Sequence, residues 1–186
     1  MEGSDSLVSA TRTTIRLPND ILKVLKDEAG KKNVSLNAVI ARILHKYVLC
    51  DIRMNTLPSI TISQALFFLI LEKLNSPQKE EVARQAIHTV RDMFTILGLE
   101  YNLQNVLDKY FTILGRHCGW FTFRYGKDEN YFRIVFETEL GPEWLKFLQL
   151  YVRAILQSLK INVDNESTTS SVMIFEITNV MQNDVM

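Results

Sequence analysis

Apolar side chains recur along this chain with two different periods. Before residue 18 they alternate: Thr13, Ile15 and Leu17 share one side of an extended segment and Arg12, Thr14 and Arg16 the other. That pattern predicts a short strand with a basic, polar outer face. Pro18 ends strand pairing and suits a helix entrance, with Asn19 or Asp20 available to cap the next helix. The period then lengthens. Ile21, Leu22, Val24, Leu25 and Ala29 predict an amphipathic helix closed near Gly30 and Asn33, and Ser35 caps a second one carrying Leu36, Val39, Ile40, Ile43, Leu44 and Tyr47.

Residues 51–58 read as a helix end and a connection, and residues 59–62 as a short strand. Three helices are predicted next, over residues 63–74, 78–97 and 103–114, the second closed by Gly98. Aromatic, alternating segments at 120–125 and 131–139 flank the turn-rich 126–130 and predict a β-hairpin. After Gly141 and Pro142, Leu145, Leu148, Val152, Ile155 and Leu159 are spaced 3, 4, 3 and 4, which gives a long helix one continuous apolar face. The polar stretch 165–171 predicts a loop, and 172–178 a last strand. The expected fold class is α+β: an N-terminal module of strand and two helices, then a larger domain of helices, β-hairpin, long helix and final strand. The element order of the larger domain fits a split βαβ arrangement. The expected divisions are a flexible tail at 1–9, a module at 10–52, a linker at 53–58, an α+β domain at 59–179 and a tail at 180–186.

Charge sharpens the picture. Of the 186 residues, 21 are basic and 21 acidic, yet residues 11–48 hold eight basic side chains against three acidic, and residues 51–186 hold 13 against 16. A small basic module joined to a near-neutral domain is the expected footprint of an anion-binding segment. The longest apolar run, residues 65–71, is far too short to cross a bilayer, so no membrane partner is expected. The start of the chain has no basic cap followed by an apolar stretch, and Cys50 and Cys118 cannot build a disulfide framework, which together predict a cytoplasmic protein.

The basic strand, the Leu17-Pro18 exit, the two short helices and the turn Asn33-Val34-Ser35-Leu36-Asn37 resemble the ribbon-helix-helix DNA-binding family, especially its Arc and Mnt branch. The resemblance implies a homodimer, or a higher even-numbered oligomer, in which two strands pair and enter the major groove of double-stranded DNA. It places Arg12, Thr14 and Arg16 at the base-reading positions and Ser35, Leu36 and Asn37 at the phosphate-binding helix start. Ile15, Leu17, Val34, Val39, Ile40 and Ile43 would form the dimer core. The function so implied is a sequence-specific transcriptional regulator or repressor. The rival is an antitoxin-like protein that binds a partner protein through its C-terminal region. Followed by an α+β domain, such a module also resembles the architecture of nickel-responsive regulators, in element order only.

Chemistry beyond that is sparse. No catalytic constellation is present, and no enzyme activity or cofactor is expected. His45, His88 and His117 lie on distant elements, and His117 beside Cys118 cannot easily share a metal, because adjacent side chains on extended chain point apart. Phe121, Phe123, Tyr125, Tyr131, Phe132 and Phe136 suit a core under the long helix, the walls of a pocket for a small-molecule effector, or a base-stacking surface.

Overall fold

The computed structural model describes residue 11 and residues 13–52, 62–127 and 131–177. The chain divides into two compact units, Met1–His45 and Lys46–Met186. The smaller unit holds helix α1 (Asn19–Lys31) and the start of α2 (Leu36–Lys46). The turn between them forms as the residue types require: Asn33 takes φ 51°, Val34 N–H donates to Ala29 O, and the Ser35 hydroxyl accepts from Ala38 N–H. One sequence expectation is corrected here. No strand forms over residues 13–18, which are irregular chain, and every strand pairing among the described residues lies within 122–177. Of the residues expected in a dimer core, Val39 is buried within the single chain, while Ile15, Val34 and Ile43 are exposed on it.

The larger unit is α+β. After a π-helical turn at Tyr47–Asp51 come α3 (Gln64–Lys73), α4 (Ser76–Ile96) and the short α5 (Leu103–Asn105). The last continues into π turns at Val106–Phe111 and Ile113–His117. Strands β1 (Thr122–Lys127) and β2 (Phe132–Glu137) make the predicted hairpin, α6 (Pro142–Ser158) comes next, and β3 (Asn165–Thr168) and β4 (Val172–Ile177) complete the sheet. Residues 128–130 and 59–61, parts of the predicted turn and first strand, lie outside the described residues.

Local signals set several boundaries. Asn75 and Gln78 form a reciprocal capping box that starts α4 two residues before the apolar stripe implied. Gly98, at φ 62°, ends it, and Leu99 N–H returns to Phe94 O. Gly115 is required by close approach, since a Cβ there would meet the Phe121 carbonyl oxygen at 2.8 Å.

The strand order is β1-β2-β4-β3, with every neighbouring pair antiparallel. α6 carries the chain from β2 to β3, and these two strands run parallel on either side of β4, so the expected split βαβ arrangement is present in this part of the sheet. The nickel-regulator resemblance is corrected, because the basic strand it starts from is not formed over residues 13–18. The polar loop is corrected too, because Asn165–Thr168 is the edge strand β3, paired with β4 from Asn165↔Glu176 to Thr168↔Met173. Ile134, Phe136, Met173, Phe175 and Ile177 sit on one face of the sheet and pack with Leu148, Val152 and Ile155 of α6 in a single core. The hairpin aromatics are mainly core: Phe136 contacts Phe111, Phe121, Phe123 and Phe175 ring to ring. Among the described residues, no helix is long and apolar enough to cross a membrane.

Candidate functional site: a groove between two helices

Helices α4 and α6 run side by side in the same direction. Near their starts Lys79, only 7% exposed, pairs with Glu143. Near their ends the Arg91 guanidinium donates to the Ser158 carbonyl at 3.2 Å. The Lys146 and Lys79 ammonium groups hold the Glu143 carboxyl down at about 2, so the tie at the helix starts stays charged through the neutral and mildly acidic range.

Between these ties lies an open groove of about 460 Å³, lined by Glu80, Arg84, Ile87, His88, Arg91, Leu150, Arg153, Ala154, Gln157 and Ser158. Spacing explains the lining. Residues 80, 84, 88 and 91 fall one helical turn apart on α4, as do 150, 154 and 157 on α6 with 153 beside them, so each helix presents one edge to the other. Ile87, Leu150 and Ala154 form an apolar floor, and three arginines and a histidine stand around it.

Each arginine is already anchored. Arg84 pairs with Glu81 one turn earlier on its own helix. Arg91 lies over the Tyr101 ring, 5.5 Å from its centroid, while it holds the Ser158 carbonyl. Arg153 donates through Nε (3.2 Å) and Nη2 (2.7 Å) to Glu166 Oε2. Glu166 belongs to β3 and pairs across the ladder with Phe175, which places its side chain on the helix-covered face of the sheet. A guanidinium has five N–H donors, so each of these keeps donors in reserve after its anchor is made. Its side-chain freedom is already partly spent.

The residues expected to meet DNA lie elsewhere. Thr14 and Arg16 are exposed on irregular chain, and Arg12 is outside the described residues. Ser35 caps α2, Leu36 is half-buried and Asn37 is exposed in the first turn. His88 lines the groove, whereas His117 and Cys118 follow one another at the end of the π-helical segment. Among the described residues, no group of three or more His, Cys, Asp or Glu side chains is arranged to hold a metal ion. The groove arginines were legible only as polar positions of amphipathic helices, and the one available signal was the two-turn spacing of Arg84 and Arg91.

No family model and no curated protein matches the chain. Among solved structures, an H-NOX domain, a "Cs H-NOX mutant" carrying 4-cyano-L-phenylalanine, is similar over 85% of this chain and 92% of its own. The identity is 12% and the TM-score 0.46, values that transfer neither ligand nor activity. The ribbon-helix-helix assignment is corrected. Residues 13–18, which carried the resemblance, form no strand, so no ribbon is present among the described residues. The transcriptional-regulator and antitoxin readings fall with the assignment that carried them.

Proposed function

We propose that the chain is a small-molecule-binding protein that works as a homodimer, with the ligand taken by the groove between α4 and α6. The observation that carries the reading is the combination of an apolar floor with polar groups that are few, convergent and already held in place, the usual make-up of a ligand site. Arg91 and Arg153 are held by partners outside their own helices, Ser158 and Glu166, which a merely solvated helix edge would not require. An amide NMR screen of the full chain against small-molecule fragments is expected to give shifts clustered on Ile87, His88, Leu150, Ala154 and Gln157. Ala154→Trp, which fills the groove, should abolish them. Fragments that cluster elsewhere, or that bind Ala154→Trp equally well, would sink the reading.

The homodimer rests on the smaller unit. Among its described residues only Ala29 and Val39 are buried, while Ile15, Ile21, Val24, Val34, Ile43 and Leu44 are 45% to 66% exposed. A unit of this size, with no cysteine in its sequence and no metal-holding group among its described residues, ordinarily takes the rest of its core from another chain. A second copy offers the same apolar faces and closes the assembly by a two-fold axis. Light scattering on the full chain should therefore give twice the 21.5 kDa chain mass, and Ile43→Asp should shift it towards one chain mass. A monomeric wild type would rule this out.

A further inference from the structure

We infer that the ligand of this groove is an amphiphilic organic anion: a carboxylate or similar acidic group held between Arg91 and Arg153, with an apolar body on Ile87, Leu150 and Ala154. The inference rests on the reading of the groove as a small-molecule site and names the chemistry that site selects.

Arg91 decides the sign of the ligand, because Arg84 and Arg153 already pair with carboxylates. Arg91 spends one nitrogen on the Ser158 carbonyl and its face on Tyr101. Arg153 spends Nε and one Nη2 hydrogen on Glu166, which leaves Nη1 as the nitrogen with both hydrogens free. Both side chains line the same groove, one from each helix, so their reserve donors can converge on one acceptor group. Planar, delocalised guanidinium is the side chain best matched to carboxylate, and anchoring reduces the freedom it must lose on binding. Gln157 and His88 add polar groups beside them.

The rest of the groove limits the ligand's charge and shape. Glu80 lines it at the opposite end of the α4 edge, 11 residues from Arg91, and Glu81 and Glu166 neutralise Arg84 and Arg153. A highly charged polyanion would therefore gain little along the groove as a whole. The apolar floor suits a hydrocarbon body, whose burial contributes about 25 cal/mol per Å². A single acidic group on an apolar chain uses both features.

The test is a titration of the full-length protein, followed by arginine side-chain Nε–H and backbone amide NMR signals, with four probes: hexanoate, hexan-1-ol, hexylammonium and inorganic phosphate. Hexanoate is expected to move the Arg91 and Arg153 side-chain signals together with the amides of Ile87, Leu150 and Ala154, saturably and at one affinity. Hexan-1-ol and hexylammonium should bind at least about tenfold more weakly, and Arg91→Gln and Arg153→Gln should each weaken hexanoate about tenfold while amide signals remote from the groove stay in place. If hexan-1-ol or hexylammonium binds the groove as tightly as hexanoate, the groove remains a small-molecule site and the anion assignment is wrong. Phosphate moving both arginines as effectively as hexanoate would overturn the role of the apolar floor. Absence of any groove response to all four probes would overturn the anion assignment, while the fragment screen decides separately whether the groove takes any ligand.

Discussion

Phe136→Ala should destabilise the larger unit by about 3 to 5 kcal/mol, the range observed when a fully buried Phe is truncated. Phe136 is 0% exposed, lies on the helix-covered face of β2 and meets four other rings, three of them edge-on and Phe123 stacked. Truncation removes its own buried surface and leaves a cavity bordered by Phe111 of the π-helical segment, Phe121, Phe123 and Phe175. Those rings come from separate elements and cannot all close on the gap at once. Against a total stability of about 5 to 15 kcal/mol the loss is large, and in a chain of this size it should lower the melting temperature by roughly 10 °C. Urea unfolding followed by fluorescence measures it. A loss under about 1 kcal/mol would mean that Phe136 is not the centre of the aromatic cluster.

Tyr151→Phe should cost about 1 to 3 kcal/mol although it removes a single oxygen atom. The Tyr110 and Tyr151 hydroxyls are hydrogen-bonded to each other inside the core, and burial raises both groups well above the ordinary tyrosine range. They stay neutral at any pH the fold survives. Removing one hydroxyl strands the other without its partner in a site closed to water. Replacing both by Phe removes the stranded group as well, so the double variant should be more stable than at least one of the singles, a coupling that a double-mutant cycle reads directly. Strictly additive losses would show that the two hydroxyls are satisfied independently.

Much of the larger unit was legible along the chain, because its signals are local. The 3, 4, 3, 4 spacing in α6, the alternating aromatics of the hairpin and the Gly98 stop of α4 each act within a few residues of themselves. The misses share the opposite property. Residues 13–17 alternate as well as any strand does, but alternation marks two faces and supplies no partner for the backbone N–H and C=O groups. Asn165–Thr168 has a composition that disfavours strands and becomes one because β4 offers it an edge. The Arg153–Glu166 pair adds a tie to the helix layer.

The helices and the β-hairpin, their apolar faces and the separation of a basic segment from a near-neutral remainder were therefore determined by the sequence alone, since periodicity and charge are written residue by residue. Tertiary structure alone decided the antiparallel order β1-β2-β4-β3, the edge strand and the groove. Arg91 and Arg153 are 62 positions apart, and nothing in either helix records that they line one site. That became visible only once the core beneath them had set α4 beside α6, because packing is a relation between distant faces and no local pattern carries it.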